Sequence, residues 1–375
     1  MKIIITIGIF IAFFQFLLLQ NKKGKSLPDK VLSFWMLVIA FHLLSYYLHL
    51  NGYWIKYPHL IGLTVPFPLF YGPLLYLYTA YSIKKDNHLN KKDYIHYLPI
   101  ALSYLYMSKF YFFYSADEKK LVDSGQIHDF DTFTNLLLLA FIISGISYTV
   151  LSLKHIRKYK QLININFSND EEINLRWLHY FIFGLGIIFF TAILIIITRD
   201  FLGFNYSFNL DFIFYSMLIF AIISLGYFGI RHKNIFVDNV IIGIQDNFTK
   251  SSYKNSGLKD DFANKKHAEL LTLMERGKPY LEPKLTLSNL ANLLEISPNY
   301  LSQIINQFEN QNFNDFVNKY RIQEFIERAS SNNQFSLLGH AFDSGFNSKS
   351  TFNSVFKKQK GCTPSQYLSN VAHKK

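Results

Sequence analysis

An all-α chain in two unlike parts is what this sequence predicts. The first part is an N-terminal seven-helix transmembrane bundle, and the second a C-terminal cytoplasmic domain of helices alone. Three observations lead there. Half of the 375 residues are hydrophobic and only 17% are charged, against about a quarter in an ordinary soluble protein. Seven apolar stretches close to the roughly 20 residues that a hydrocarbon core requires fall before residue 231. Beyond that point such runs cease, and polar segments with helical periodicity take over.

The seven stretches run over Ile3–Leu19, Leu32–Leu50, Leu60–Ile83, Tyr94–Tyr114, Phe133–Leu153, Leu175–Thr198 and Leu210–Ile230. The first has only Lys2 before it and no small-residue cleavage pattern after it, so it reads as a retained span rather than a signal peptide. The third contains Pro66, Pro68 and Pro73 with Gly72, which predicts a kinked helix whose freed carbonyls need partners inside the bundle. Tyr71, Tyr76, Tyr104, Tyr106, Tyr111 and Tyr114 surround it in sequence, as an aromatic belt or as the floor of a pocket.

Loop charges set the expected orientation, because Lys and Arg are retained on the cytoplasmic side. Lys22, Lys23, Lys25 and Lys30 follow the first span, and Lys84, Lys85, Lys91 and Lys92 the third. Lys154, Arg157, Lys158 and Lys160 follow the fifth, and the seventh exits at Arg231 and Lys233. The alternate loops are poorer in base. This pattern places the N-terminus outside and everything after Arg231 in the cytoplasm. Lys109, Arg199, Asp200 and Asp211 then fall near the outer ends of spans, either snorkelling to headgroups or forming a charged vestibule for a ligand.

Composition also excludes chemistry. One cysteine, Cys362, rules out an internal disulfide framework and a cysteine-built zinc site. His42 and His49 share a helix face but lack a third ligand nearby, which reads as polar groups inside the bundle rather than a metal site. No phosphate loop, nucleophile elbow, HExxH pattern or paired catalytic carboxylate stands out, so no enzyme, catalytic residue or cofactor is expected.

From about Asn234 to Asn264 the chain reads as a linker, and a helix follows from about Lys259 to Arg276, ended by Gly277 and Pro279. Domain boundaries are therefore expected at 1–232, 233–265 and 266–375. Leu285, Leu287, Leu290, Ala291 and Leu294 line one helix. Ser297 caps the next, and Pro298 suits its first position. There Leu301, Ile304, Ile305 and Phe308 form the buried stripe, while Asn299, Ser302, Gln303 and Asn306 face the other way. Asn314 to Ala329 reads as one helix about 24 Å long. A second unit repeats the scheme. Leu337, Leu338 and Ala341 lead to a turn at Gly345, and Asn347 or Ser348 caps a helix packed by Phe352, Val355 and Phe356. Its opposite face presents Lys349, Ser350, Asn353, Ser354 and Lys357, the make-up of a helix that docks in a DNA major groove. From Lys266 onward 13 Lys and Arg stand against 9 Asp and Glu, so the local cluster of Lys349, Lys357, Lys358 and Lys360 matters more than net charge.

The run Gly345-Phe346-Asn347-Ser348-Lys349-Ser350-Thr351-Phe352, with Phe356-Lys357, Gly361, Thr363-Pro364 and Tyr367, resembles the second-motif signature of the AraC/XylS family of bacterial transcription regulators. Ser297-Pro298-Asn299-Tyr300-Leu301-Ser302 resembles its first. The resemblance covers about Leu270 to Tyr367. It implies two helix-turn-helix units joined by a long helix. It also implies double-stranded promoter DNA as ligand, with a homodimer and RNA polymerase as expected partners. Gly339 and His340 depart from the family's apolar pair, and the first recognition helix carries no Lys or Arg. The expected whole is a membrane-embedded transcription regulator in a bacterial inner (cytoplasmic) membrane, with the lipid bilayer and an unidentified signal ligand as further partners. A transporter or channel with a regulatory DNA-binding tail is the alternative class. Signal transfer is expected through dimerisation of the apolar juxtamembrane segment Phe236–Ile244, with proteolytic release as the competing route.

Overall fold

The computed structural model describes residues 1–83, 88–168, 176–195, 197–198, 202–204, 206, 210–231, 260–331 and 335–372. It divides into two compact units, residues 1–157 with 175–236 and residues 158–174 with 237–375. The juxtamembrane segment and linker lie outside the described residues, as do Lys84, Lys85, Arg199 and Asp200.

The first unit opens with α1 (Lys2–Asn21) and α2 (Leu27–Leu50), packed as a hairpin. Their tight turn uses Gly24 at φ +67° and ends on Ser26, which accepts from the Asp29 amide while Asp29 accepts from the Ser26 amide. Lys22 closes the corner with a 2.6 Å ion pair to Asp29. Short elements follow: α3 (Tyr53–Lys56), α4 (Pro68–Ser82), α5 (Leu98–Phe113) and α6 (Ala116–Asp123). Then come the long helices α7 (Asp131–Asn166), α8 (Arg176–Ile195) and α9 (Leu210–Arg231). Small residues let α9 approach its neighbours: a Cβ on Gly229 would stand 2.4 Å from Leu32, and one on Gly8 of α1 would stand 2.8 Å from Ile219.

Among the described residues five helices are long and apolar enough to cross a membrane, not seven: α1, α2, α7, Trp177–Ile195 of α8 and Phe212–Gly229 of α9. The expected third and fourth spans become α4 and α5, of 15 and 16 residues. At 1.5 Å per residue each is about 24 Å or less, short of the ~30 Å hydrocarbon core. Proline is the reason. Pro68 stands in the first turn of α4 instead of kinking a longer helix, and residues 61–67 run as turns. Pro99 likewise opens α5, and Lys91–Tyr97 winds as a 3-10 helix before it. Two carbonyls of those turns also take tyrosine hydroxyls. Tyr104 donates to Leu63 O at 2.7 Å and Tyr111 to Gly62 O at 2.8 Å. His42 and His49 have separate surroundings: His42 Nδ1 meets the Tyr71 hydroxyl at 2.5 Å, and His49 packs on Tyr46 and Trp54.

The second unit contains the last residues of α7 and a run of short helices. α10 (Asp260–Thr272) passes into one wider turn, Leu273–Gly277, and stops at Lys278 with φ +47°. Next are α11 (Leu287–Leu293), α12 (Pro298–Glu309), α13 (Phe313–Ser331), α14 (Leu337–Asp343), α15 (Lys349–Lys360) and α16 (Pro364–Ala372). α13 is the spine. Phe313, Phe316 and Val317 join one buried cluster with Leu290, Leu301 and Ile305. Ile322, Phe325 and Ala329, farther along, join a second with Ala341, Phe352 and Phe356. Arg321 lies between these positions and is itself only 1% exposed. Its Nε donates to Tyr280 O at 2.8 Å and its Nη2 to Glu282 O at 2.8 Å.

Gly345 presses on this anchor. At φ +91° it occupies a backbone region that disfavours a side chain, and a Cβ there would meet Tyr280 O at 2.2 Å and Arg321 Nε at 2.9 Å. Gly345→Ala is therefore expected to cost more than ~2 kcal/mol, combining a left-handed conformation with a backbone clash. Thermal unfolding of the purified full chain should lose the transition of the second unit at the temperature where the wild type keeps it. An unchanged transition would show that the turn relaxes freely.

Candidate nucleic-acid interface

Two helix-turn-helix units follow from matching local chemistry. In the first, Thr286 caps α11 by accepting from the Asn289 amide, and Ser297 caps α12 by accepting from the Tyr300 amide at 3.2 Å. Between them Glu295 takes φ +55°, and the Ile296 amide returns to Ala291 O. The second unit repeats the closure. Ser336 caps α14, Gly345 takes the left-handed position, and the Phe346 amide returns to Ala341 O. Ser348 rather than Asn347 caps α15, accepting from the Thr351 amide at 3.1 Å. Asn347 makes the second turn one residue longer than the first, so Leu301 corresponds to Phe352. α15 ends on Gly361 at φ +77°, whose amide caps Lys357 O.

The solvent face of α15 is the one expected. Lys349, Ser350, Asn353, Ser354 and Lys357 are all exposed, opposite buried Phe352 and Phe356. α12 needs a correction. Asn299 and Asn306 are exposed and Gln303 is half-buried, but Ser302 is only 6% exposed. Ser302 sits one position, about 100°, from buried Leu301 and three from buried Ile305, so it flanks the core stripe instead of opposing it. Asn306 Nδ2 also donates to Ser302 O at 2.8 Å.

Electrostatics separates the lysines of α15. Lys358 Nζ pairs with Asp315 Oδ1 of α13 at 2.6 Å, and Lys360 lies 5.7 Å over the Tyr367 ring. Lys349 and Lys357 make neither kind of contact among the described residues. Farther back, Glu324 of α13 is buried, with Lys278 at 2.8 Å, Arg328 at 2.7 Å and the Tyr280 hydroxyl at 3.0 Å. Burial pushes its carboxyl up, but hydrogen bonds from Lys278, Arg328 and Tyr280 outweigh that and hold it below the usual carboxylate range. A lowered carboxyl stabilises the fold at neutral pH and loses that contribution as pH falls through its folded value. His267 of α10 meets Glu309 of α12 at 3.0 Å and stacks on Phe308, tying the leading helix to the first recognition helix.

Residues 290–370 match the family described as a helix-turn-helix domain. The C-terminal region is an AraC-type helix-turn-helix domain. The match ends there: no curated protein and no solved structure matches the chain. Transcription regulation through DNA is thus what this domain points to, and no catalytic family accompanies it.

Sequence reasoning missed Arg321 as an anchor and the last turn of α7 as part of this unit. A signal for the first was present. Arg321 is four residues from both Val317 and Phe325, a cation inside an apolar stripe. For the second no local pattern exists.

Lys349→Ala and Lys357→Ala are each expected to weaken DNA binding, while Lys358→Ala, which breaks an exposed pair, should change it much less. Each of the first two should lower the salt slope of log K by about 1. Fluorescence anisotropy across a salt series reads all three. Equal losses for the three lysines would overturn the assignment.

Proposed function

We propose that the chain is a membrane-embedded, DNA-binding transcription regulator. The observation that carries this reading is the pair of capped, outward-facing recognition helices in an AraC-type domain joined to five helices of membrane-spanning length. In this reading residues 266–375 bind double-stranded promoter DNA. Lys349, Ser350, Asn353, Ser354 and Lys357 supply the stronger contacts, with Asn299, Gln303 and Asn306 as neutral hydrogen-bonding readers. Lys349 and Lys357 set affinity through phosphates, and Asn353 has the chemistry to read adenine. The basic residues after α1, toward the end of α7 and at the end of α9 favour a cytoplasmic-membrane location with the N-terminus outside. On this reading the five spanning-length helices among the described residues are, like seven, an odd number, which keeps the two ends on opposite sides. A homodimer and RNA polymerase remain the partners that the family resemblance suggests.

Random-sequence DNA selection with the full chain in lipid nanodiscs should enrich paired half-sites about one helical turn, 10–10.5 bp, apart. Solute flux in vesicles without any sequence enrichment would instead favour a transporter with a regulatory tail.

The first unit offers a place for the signal. A cavity of about 440 Å³ lies among α2, α4, α7, α8 and α9, with Trp35, His42, Tyr46, Tyr71, Phe141 and Phe189 in its wall. A second of about 310 Å³ shares His42, Tyr46, Pro68 and Phe141 with it. Both fall in the size range of ligand pockets. No Asp, Glu, Lys or Arg lines either among the described residues, so a charged guest would lose its hydration without a counter-charge. The signal ligand is therefore proposed to be neutral and largely apolar. A brominated neutral alkyl ester should quench tryptophan fluorescence saturably in nanodiscs, and Trp35→Phe or the cavity-filling Ala192→Phe should remove the saturable part. Purely linear quenching would sink the assignment.

A further inference from the structure

We infer that the end of α7 and the two residues beyond it form the input port of the DNA-binding unit, a clasp that sets how its two helix-turn-helix halves are held. This rests on the regulator reading above and supplies its means of control. The boundary between the two compact units falls inside α7, between Arg157 and Lys158, so the last turns of an uninterrupted 36-residue helix belong to the second unit.

Ile165 packs against the first buried cluster. Phe167 forms an antiparallel bridge with Thr286, the residue that caps α11. Ser168 is fully buried, and both its amide and its hydroxyl donate to Leu285 O, at 3.2 and 2.7 Å. From α13 Asn314 Nδ2 donates to Phe167 O at 2.9 Å. Arg321 reaches the same residues: Nη1 donates to Ser168 O at 3.2 Å and Nη2 to Ser168 Oγ at 3.0 Å.

A surface loop resting on a neighbour would bury little and leave its partners satisfied without it. Here a buried guanidinium takes two of its acceptors from Ser168, and guanidinium N–H groups without acceptors are costly in a dry interior. The clasp also grips at informative places. It holds the cap of α11, which orients the first recognition helix. Through Arg321 it reaches Tyr280 O, against which the Gly345 turn of the second unit is pressed. Displacement along α7 carries Ile165 to Ser168 with it, because a continuous helix is stiff over this length. Control by this route needs neither a rigid linker after α9 nor cleavage of one.

The test uses the full chain in nanodiscs with a site-specific protease site inserted between residues 240 and 255. After cleavage the C-terminal part should remain on the nanodisc through size exclusion. The double substitution Ile165→Asp with Ser168→Gly leaves the helix-turn-helix sequence intact and should release it. Uncleaved, that variant should keep wild-type affinity for a single half-site but lose about tenfold or more on the paired site. Release of the cleaved wild-type part, or equal paired-site affinity of variant and wild type, would overturn the clasp. Absence of any sequence-specific DNA binding by the wild type would instead sink the regulator reading, while the retention result would still judge the clasp.

Discussion

Burying one guanidinium organises the DNA-binding unit. Arg321 sits on α13 between the stretch that feeds one apolar cluster and the stretch that feeds the other. Burial draws its ionisation down to about 10, so it stays charged at neutral pH. A charge held in such a place is stable only if its donors meet acceptors. Those acceptors come from Tyr280, Glu282, Asn318 and Ser168. Segments far apart in the chain must therefore converge on one side chain. The left-handed turn at Gly345 then has no room for a Cβ. Geometry on both sides of the spine follows from satisfying a single cation.

The two recognition helices divide the work. α15 carries Lys349 and Lys357 beside serine and asparagine, a mixture that attracts phosphate and offers donors and acceptors to base edges. α12 carries no Lys or Arg, with amides in the corresponding places and one serine turned into the flank of the core. On the proposed reading affinity comes mainly through the second unit, and the first contributes readout without long-range attraction. That asymmetry raises the value of holding the two at a fixed angle, because the weaker helix gains most from being positioned by the stronger.

In the apolar first unit, proline sets where helices begin. Helix formation restarts at Pro68 and at Pro99, and carbonyls of the turns before Pro68 take hydrogen bonds from Tyr104 and Tyr111. Aromatic residues that read as an interfacial belt thus include two with a specific backbone task. The apolar cavities beside α4 lie where this short helix stands among longer ones.

Much was legible in the sequence. Both capped recognition helices, the spine over Phe313–Ser331 and the exposed face of α15 follow from periodicity, capping serines and a family signature, all local properties. Long apolar runs marked the first unit, but hydropathy averages over residues and cannot register where proline restarts a helix, so seven stretches became five helices of spanning length among the described residues. Ser302 eluded the reading because a residue flanking the stripe is covered or not according to its neighbours in space. The role of Ser168 belongs to tertiary structure alone. Its partners on α13 lie about 150 residues away, and hydrogen bonds over such separations leave no period or motif in the chain that makes them.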